Sequence, residues 1–250
     1  MKCLILAAGY GTRLYPLTEN YPKPLLEVGG KAILDWLVED IDSAGPVDEY
    51  VVITNHRFVR RFEAWAKAHV QPIAVLDDGT ESNETRLGAV CDIQYAIDRL
   101  GIDDDLLVIA GDNLLDFSLT RFLEFAREKG TSCTLRYREP DNARLTRSGV
   151  CEIDAGGRLI SLEEKPARPK SEWCVPPFYY YTRADAAKIR DAIADGCGTD
   201  APGSLASWMC AHSVVNSMEM PGKRYDIGDP ESYERVRREY RGIVADLKLF

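Results

Sequence analysis

Four residues with phosphate-binding chemistry follow the first apolar segment of the chain. Gly9 and Gly11 come directly after the run KCLILAA, and the cations Arg13 and Lys23 follow them. Glycines let a backbone approach phosphate oxygens closely and present its N–H groups to them. Cations beside such a turn would neutralise phosphate charge. This stretch therefore predicts a loop that wraps a polyphosphate.

Two aspartates elsewhere in the sequence have the chemistry of a Mg²⁺ site. Asp112 follows the apolar run DLLVIAG, and Asp226 lies in the late sequence YDIG. A carboxylate at the tip of a buried strand needs a cation or hydrogen-bond donors, and Mg²⁺ prefers such oxygen ligands. From the residues alone, Asp112 is equally well explained as a turn residue or a helix cap, and Asp226 as a turn residue.

Strands and helices must position these groups, and the two alternate over the first 140 residues. Apolar runs predict strands at 2–8, 50–54, 73–76, 105–110 and 132–138, with helices between them. Such alternation is typical of a parallel sheet with helices on both faces.

The rest of the chain departs from this alternation. The sequence predicts a hairpin at 150–153 and 158–162, a strand at 178–181, helices at 185–194 and 204–212, and a closing helix at 231–245. The sequence contains no internal repeat, and no linker rich in Pro, Gly or Ser divides it into separate domains. We therefore predict one α/β domain over residues 1–250, with a mixed, mostly parallel sheet.

The composition argues against several classes of protein. The net charge of −9 argues against broad binding to nucleic acid or anionic membranes, since both require a basic surface. No apolar run reaches the ~18 residues of a membrane span. The first strand meets glycine and arginine too early for a secretory signal. The seven cysteines form no CxxC pair, and the three histidines are far apart. We expect reduced thiols, a cytoplasmic protein and no histidine-based metal site.

The letters of the glycine-rich stretch distinguish between phosphate-binding motifs. A dinucleotide turn would need a third glycine where Leu14 stands, and the P-loop pattern G-x-x-x-x-G-K-[ST] is absent. A loop around a nucleoside triphosphate remains. GYGTRLYPLTENYPKPLLEVGGKAIL closely resembles the signature of the sugar-phosphate nucleotidylyltransferases, and EEKP at 163–166 resembles the second signature of that family.

This resemblance implies a Rossmann-like fold of the nucleotide-diphospho-sugar transferase type, together with a reaction. A phosphate oxygen of a sugar 1-phosphate or similar acceptor would attack the α-phosphorus of a nucleoside triphosphate. The products would be a nucleoside-diphosphate sugar and pyrophosphate. Residues 1–140 would form a nucleotide-binding half and residues 141–250 an acceptor-binding half. A homo-oligomer is left open.

The family motifs also imply roles for individual residues. Arg13 and Lys23 would be catalytic, and Asp112 and Asp226 would hold Mg²⁺ as the cofactor. Nucleotide contacts are implied for Leu6, Ala8, Gly9, Gly11, Thr12, Asn83 and Gly88. Acceptor contacts are implied for Asp112, Gly149, Glu164, Lys165 and Tyr179.

Two departures from the family pattern affect the choice of substrates. The Q-x-P-x-G-L-A run of thymidylyl and uridylyl enzymes is missing, and DDGTESNETRLGA loosely resembles cytidylyl-type members, so CTP is slightly favoured. Pro176 and Pro177 stand where many members have a T-G pair. They stiffen the segment and remove a backbone donor, which argues against glucose 1-phosphate as the acceptor.

Two alternative functions remain on the sequence. A glycosyltransferase of related fold would use a D-x-D metal motif, and Asp103–Asp105 satisfies its letters, although before a strand rather than after one. A non-catalytic nucleotide-sugar-binding or regulatory protein would be expected to have lost part of the set of cations and carboxylates, which is complete in this sequence. The glycosyltransferase would act without releasing pyrophosphate, and the non-catalytic protein would bind its ligands without turnover.

Overall fold

The computed structural model of the protein describes residues 1–45 and 47–244, which form two compact units. The amino-terminal unit consists of the described parts of Ile5–Arg86, Ala110–Leu123 and Pro221–Phe250. The central unit consists of Met1–Leu4, Leu87–Ile109 and Glu124–Met220. Each unit is built from segments that alternate along the chain. The division into functional halves 1–140 and 141–250 stays a prediction. The assignment of the chain to a single domain stays a prediction.

The strands and helices of the two units are numbered in the order in which they occur along the chain. The strands are β1 (Lys2–Leu6), β2 (Glu27–Val28), β3 (Lys31–Ala32), β4 (Glu49–Thr54), β5 (Ile73–Asp77), β6 (Leu106–Ala110), β7 (Asn113–Leu115), β8 (Ser132–Arg138), β9 (Gly149–Ile153), β10 (Leu159–Glu164), β11 (Trp173–Val175), β12 (Phe178–Tyr181), β13 (Val215–Glu219) and β14 (Arg224–Asp226). The helices are α1 (Ile33–Ala44), α2 (Val59–Ala66), α3 (Ala89–Leu100), α4 (Thr120–Lys129), α5 (Asn142–Leu145), α6 (Arg183–Ala186), α7 (Ile189–Ala194), α8 (Pro202–His212) and α9 (Pro230–Glu239).

In the amino-terminal unit, a parallel pair of strands ends beside the loop that follows β1. β4 pairs in parallel with β5 from Tyr50↔Ile73 to Thr54↔Asp77. The N–H of Ala7 donates to the carbonyl of Ile53 at 2.8 Å. The carboxyl ends of these strands therefore meet at one edge, where α/β sheets usually bind ligands.

An apolar cluster holds α9 and β7 in the same unit. Tyr233 of α9 and Tyr240 after it pack with Leu14 and Leu114. The Tyr240 hydroxyl also donates to the Leu115 carbonyl at 2.8 Å. Because these residues come from distant parts of the sequence, their packing brings β7 and the start of the chain together.

The central unit contains a mostly antiparallel part of the sheet. Its strands follow the order β10-β9-β11-β8-β12-β6, and β13 pairs with β8 in parallel. The predicted hairpin is β9 and β10, which pair from Leu159↔Ile153 to Glu164↔Gly149. The helix α8 contacts β10. The strands and helices of the described chain confirm the predicted mixed α/β class.

Some predicted elements differ from the observed ones. The helix predicted at 185–194 is two short helices, α6 and α7. The closing helix ends at Glu239, residues 240–244 are not helical, and Ala245 lies outside the described residues. The strands β7 and β14 were not predicted, because three residues are too few to show an alternating pattern.

Two expectations from composition can be compared with the described residues. No helix in the described part of the chain is long and apolar enough to cross a membrane. The seven cysteines are free thiols. Burial raises the pKa of both Cys133 and Cys210 to about 11, so neither thiol is activated as a nucleophile.

Candidate functional site

The glycine loop, residues 7–13, leaves open space around its backbone. The carbonyl of Ala8 accepts a hydrogen bond from the Asn55 side chain at 2.9 Å, which anchors the start of the loop. Gly9 is exposed, and a Cβ placed on it would meet nothing within 4 Å. The backbone at this position is therefore accessible to a ligand, as the phosphate-cradle prediction requires.

Gly11 gives the loop its turn. Its φ of 61° lies in the left-handed region, which favours glycine. The buried Thr18 hydroxyl donates to the Gly11 carbonyl at 2.7 Å. The chain then enters a short 3₁₀ turn, Thr12–Leu14, in which Leu14 is buried while Thr12 and Arg13 are exposed. The turn thus leaves the Arg13 guanidinium accessible to a ligand.

A second turn places Lys23 on Asp112. Lys23 begins the 3₁₀ turn Lys23–Leu25 and is flanked by Pro22 and Pro24, which restrict its backbone. Its ammonium donates to Asp112 Oδ2 at 2.5 Å, and its side chain is only 11% exposed. Gly111, next to Asp112, donates its N–H to the carbonyl of Leu6 at 3.0 Å, directly before the glycine loop.

The environment of Asp112 keeps its carboxylate ionised. Burial raises the pKa of this carboxyl, but the charge and hydrogen bond of Lys23 and the charge of Arg224 outweigh burial and lower the pKa below its usual range. The Asp112 side chain nevertheless remains 36% exposed. A charged, accessible carboxylate is therefore present next to a buried cation.

The strands β7 and β14 bring Asp226 to the same place. Asn113 of β7 is the register partner of Asp226. The Asn113 amide donates to Asp112 Oδ1 at 2.9 Å, and Arg224 donates to Asn113 Oδ1 at 2.7 Å. Arg224 also lies 3.7 Å from Asp226. We call Lys23, Asp112, Asn113, Arg224 and Asp226 the charged cluster.

This arrangement corrects the interpretation of Asp226 as a turn residue. Asp226 ends a strand, and its carboxylate is 63% exposed. Asn113 and Arg224 were missed by sequence reasoning. Their only signal was their position next to the GD and YDIG motifs, because the hydrogen bonds between them depend on a strand pairing that joins residues more than a hundred positions apart.

The charged cluster fits a Mg²⁺ ion that is completed by substrate. Among the described residues there is no group of three or more His, Cys, Asp or Glu that could hold a metal by itself. Mg²⁺ commonly binds one or two carboxylates together with substrate phosphates and water. Asp112 and Asp226, each partly exposed and joined through Asn113, supply such a pair.

The turn after β5 is attached to the glycine loop. The Tyr10 hydroxyl lies 3.3 Å from the Thr80 hydroxyl. Thr80 donates to Asp78 Oδ1 through both its N–H and its hydroxyl, at 2.7 Å each. The other oxygen, Asp78 Oδ2, is buried without a hydrogen-bond partner, and burial raises the pKa of this carboxyl. Sequence reasoning did not single out Asp78.

Asn83 lies in the turn that follows, in the amino-terminal unit. Its carbonyl accepts a hydrogen bond from Arg86 at 3.0 Å, and the residue is half-buried. The alternative that residues 82–84 cap the next helix is wrong, because α3 begins at Ala89 with Gly88 at its N-cap and has no side-chain cap. The side chain of Asn83 is therefore not required to start α3.

Gly88 lies in the central unit, against another loop. Its φ is 91°, and a Cβ placed on it would lie 2.6 Å from the carbonyl oxygen of Thr199. The N–H of Val90 donates to the same carbonyl at 3.0 Å. Glycine is thus required at this position by the close approach of the 199–200 backbone, whether or not a nucleotide binds.

The predicted acceptor residues Gly149, Glu164 and Tyr179 come together in the central unit. Glu164 pairs with Gly149 across β9 and β10. A Cβ on Gly149 would lie 3.0 Å from Glu164 Oε1. The buried Tyr179 hydroxyl and Glu164 Oε1 both approach one further residue, Gly203. Burial raises the pKa of Glu164, while the charge of Lys165 opposes this rise.

Lys165 has an unusual backbone conformation. Its φ of 49° makes it the one non-glycine residue with positive φ among those that the structure describes. Its N–H donates to the Ser148 carbonyl at 3.0 Å, and its side chain is exposed. Such backbone strain concentrates at functional sites. The hairpin therefore orients an accessible cation directly after Glu164.

A cavity of about 360 Å³ lies beside Glu164 in the central unit. Ser204, Ser207 and Trp208 of α8 contribute to its lining, as does Cys197. Its lining includes carboxylates, hydroxyls and an indole ring but neither lysine nor arginine among the described residues. The cavity is therefore suited to uncharged or cationic groups rather than to a second anion.

The triplet Tyr179–Tyr181 lies in β12 and is buried, as expected for core aromatics. Tyr179 and Tyr181 stack with their ring centroids 6.0 Å apart, and Tyr180 donates to Asp105 at 2.6 Å. The preceding Pro176 and Pro177 separate β11 from β12, and the Pro176 carbonyl accepts the N–H of Phe178 at 2.8 Å.

The D-x-D alternative is not supported by the structure. Asp103 pairs with Arg183, Asp104 lies 2.9 Å from the amino terminus, and Asp105 accepts the hydroxyl of Tyr180. Each carboxylate of this motif therefore has a protein partner in the central unit. The motif has a structural explanation that requires no metal.

The fold and its glycine loop define a nucleotide-binding α/β protein. A family model confirms and narrows this class: the chain belongs to the Nucleotidyl transferase family, whose model matches residues 2–242. This membership confirms the resemblance stated from the sequence motifs.

Two curated relatives show the range of similarity. The UTP–glucose-1-phosphate uridylyltransferase AglF of Haloferax volcanii is 25% identical over 250 residues, which cover 95% of this chain and 96% of AglF. The glucose-1-phosphate thymidylyltransferase of Streptomyces antibioticus is 31% identical over 201 residues, which cover 76% of this chain and 52% of that enzyme. The chain thus spans nearly all of one relative and about half of the other.

A solved structure supports the fold. The crystal structure of a putative glucose-1-phosphate thymidylyltransferase from Bacillus anthracis, in complex with a sucrose, superimposes with a TM-score of 0.82 at 24% identity. The similarity covers 98% of this chain and 100% of that one.

Proposed function

We propose that this protein transfers a nucleoside monophosphate from a nucleoside triphosphate to a sugar phosphate or similar phosphorylated acceptor, releasing pyrophosphate. The observation that carries the proposal is the charged cluster, which the Gly111–Leu6 hydrogen bond connects to the end of β1, directly before the glycine loop. The two curated relatives, a uridylyltransferase and a thymidylyltransferase, support the same class of reaction.

The chemistry of this reaction explains why cations matter more than a general base. The second phosphate pKa of ~6 makes the acceptor phosphate an anionic nucleophile at neutral pH. Bringing one pair of like charges to ~4 Å costs about 4 kcal/mol at an effective dielectric of ~20. Catalysis must therefore come from positive charge and alignment. Accordingly, the charged cluster holds two cations and no histidine.

Lys23 and Arg13, two cations of the amino-terminal unit, have separate roles in this proposal. Lys23, fixed between two prolines and against Asp112, stabilises charge that develops around the α-phosphate. Arg13, exposed on its turn, binds the rest of the triphosphate and the leaving pyrophosphate. The backbone of Gly9 and Gly11 contacts the nucleotide, together with Leu6, Ala8 and Thr12.

Asp112 and Asp226 would hold Mg²⁺, which when bound would neutralise phosphate charge. Asn113 donates to Asp112 and accepts from Arg224, so it fixes the orientation of one carboxylate relative to the strand that carries the other. Lys23 keeps Asp112 ionised, as a metal ligand must be.

The acceptor is proposed to bind the residues of the central unit. The exposed Lys165 ammonium would hold the acceptor phosphate, and Glu164 would accept hydrogen bonds from its hydroxyl groups. Gly149 leaves room beside the Glu164 carboxylate, and the Tyr179 hydroxyl approaches the same space. No lysine or arginine lines the adjacent cavity among the residues that the structure describes, which favours an acceptor without a second acidic group.

The nucleobase is proposed to be a pyrimidine. The sequence from Asp77 to Gly88 slightly favours CTP, whereas the names of the two curated relatives point to UTP and dTTP. Asn83, with both donor and acceptor atoms on its amide, has the chemistry to pair with a base edge.

A screen of pyrophosphate release tests the proposal. CTP, UTP, dTTP, GTP and ATP are each combined with glucose 1-phosphate, other sugar 1-phosphates and non-sugar phosphates, with Mg²⁺ or with EDTA. We expect turnover for a pyrimidine triphosphate and at least one acceptor, and loss of turnover in EDTA. Binding of both substrates without pyrophosphate release in any combination would instead support a non-catalytic binding protein.

A further inference from the structure

Gly203 is a buried glycine in the first turn of a helix. It is the second residue of α8, after Ala201 at the N-cap and Pro202. Glycine within a helix is less favourable than alanine because it loses more backbone freedom on folding. A glycine at this position therefore needs a local reason.

Backbone conformation does not supply that reason. Gly101 and Gly130 have φ values of 61°, which favour glycine, and a Cβ on either would meet nothing within 4 Å. Gly203 instead has a helical backbone, and a Cβ placed on it would lie very close to neighbouring atoms. What distinguishes Gly203 is therefore the space that its missing side chain leaves.

The Glu164 carboxylate occupies that space. A Cβ on Gly203 would lie 1.7 Å from Glu164 Oε1 and 2.8 Å from its Cδ. It would also lie 3.2 Å from the Tyr179 hydroxyl oxygen. Distances this short between non-bonded atoms cannot be accommodated without movement of the carboxylate. Alanine at 203 is thus incompatible with the observed position of Glu164.

A second glycine borders the same carboxylate. A Cβ on Gly149 would lie 3.0 Å from the same Oε1 atom. We call Gly149 and Gly203, with Glu164 between them, the glycine slot. Because a carboxylate in this slot is positioned by packing, its location depends on the absence of side chains at both glycines.

We propose that Gly203 is a positioning residue for acceptor binding, which acts by leaving room for the Glu164 carboxylate at the edge of the cavity. The link to the acceptor rests on the proposed function, whereas the spatial relation between Gly203 and Glu164 does not. Gly203 carried no signal in the sequence, since it belongs to none of the family motifs that were identified there.

The first test is Gly203→Ala, assayed with varied acceptor and varied nucleotide. We expect the KM for the acceptor to rise at least tenfold, the KM for the nucleotide to stay within twofold, and the melting temperature to fall. Gly156→Ala is the matched control, because its Cβ would lie 3.3 Å from Asp154 in the β9–β10 turn, away from the slot. The control should behave as wild type.

A double-mutant cycle with Glu164→Ala distinguishes positioning from a general structural role. Without the Glu164 carboxylate the clash with it disappears and only the 3.2 Å approach to the Tyr179 hydroxyl remains. Gly203→Ala should therefore not raise the acceptor KM further in that background, and it should lower the melting temperature by less. A melting-temperature loss of equal size in both backgrounds would overturn the proposal, as would a wild-type acceptor KM in Gly203→Ala.

The melting temperatures also separate failure of this inference from failure of the proposed function. If the wild-type protein releases no pyrophosphate with any substrate pair, the proposed function fails. The thermal cycle then still decides the relation between Gly203 and Glu164: a larger loss in the background with Glu164 supports it, and equal losses refute it.

Discussion

The charged cluster and the glycine slot hold their carboxylates by opposite physical means. In the amino-terminal unit, Asp112 accepts hydrogen bonds from Lys23 and Asn113. In the central unit, the position of Glu164 depends on the missing side chains of Gly149 and Gly203. The Asp112 carboxylate is held by hydrogen-bond donors, whereas the Glu164 carboxylate is held by the room that the two glycines leave for it.

The two environments have opposite effects on ionisation. Burial raises the pKa of Asp112, but Lys23 and Arg224 reverse this, so the net pKa is lowered. Burial also raises the pKa of Glu164, and Lys165 only partly opposes it. An ionised carboxylate such as Asp112 suits the binding of a metal ion together with phosphate. A carboxylate with a raised pKa, such as Glu164, suits hydrogen bonds to uncharged groups. The charged cluster should therefore lose its function when a side chain that contacts its carboxylate is removed. The glycine slot should lose its function when a side-chain atom is added at one of its glycines.

Removing the Lys23 ammonium should have the largest effect. We expect Lys23→Ala to lower kcat by about 10³-fold, because the variant loses positive charge at the reacting phosphate. Pyrophosphate release at saturating substrates measures the change. Lys31→Ala, which removes a half-buried ammonium that pairs with Glu39 and lies over the Trp36 ring in the same unit, is the control and should stay within about twofold. A kcat for Lys23→Ala within tenfold of wild type would remove Lys23 from the proposed mechanism.

Arg13→Ala should show that an exposed cation acts differently from one fixed by a partner. We expect kcat/KM for the nucleotide to fall by about 10²-fold, since a charge-assisted contact to phosphate is lost. Because Arg13 is exposed, the melting temperature should not change. Unchanged kcat/KM for the nucleotide would exclude Arg13 from triphosphate binding.

Glu164→Gln keeps the shape of the glycine slot and removes the charge. We expect the acceptor KM to rise by about tenfold, while the nucleotide KM stays constant, because Glu164 is proposed to contact only the acceptor. Steady-state kinetics with each substrate varied in turn measures both constants. Equal increases in the two KM values would show that Glu164 does not act on the acceptor alone.

The pH dependence of stability is the smallest expected effect. The pKa of Asp112 is lowered in the folded protein, so the stabilisation from its ionised form is present above the unfolded-state pKa of ~3.9 and is lost as pH falls through the folded-state value. Wild type should therefore be more stable than Asp112→Asn at pH 7, and the difference should shrink below a pH of about 4.

Denaturant unfolding at several pH values measures this difference. Asp103→Asn provides a control, because it breaks only the exposed pair with Arg183 and should change the free energy of unfolding by less than about 1 kcal/mol at each pH. A stability difference for Asp112→Asn that does not vary with pH would contradict the proposed role of Lys23 in holding Asp112 ionised.

The sequence alone was sufficient for the glycine loop and for much of the fold. The sequence predicted β8 and β12 with their observed bounds, and in β12 all four consecutive side chains are aromatic and buried. The letters around Gly9, Gly11 and Arg13 identified the family, because their order along the chain matches its signature. The sequence also predicted the hairpin of β9 and β10, although Gly149 and Glu164, which pair at its end, lie just outside the predicted bounds.

Only the tertiary structure decided which side chains complete each group. Asn113 and Arg224 meet because β7 pairs with β14, and Gly203 meets Glu164 because α8 packs on β10. These contacts join positions far apart in the sequence, through elements that are short or carry no motif. Local pattern reports which residues favour a strand, a turn or a helix. Which distant donor reaches a carboxylate, and which missing side chain leaves it room, depends on packing that no local pattern contains.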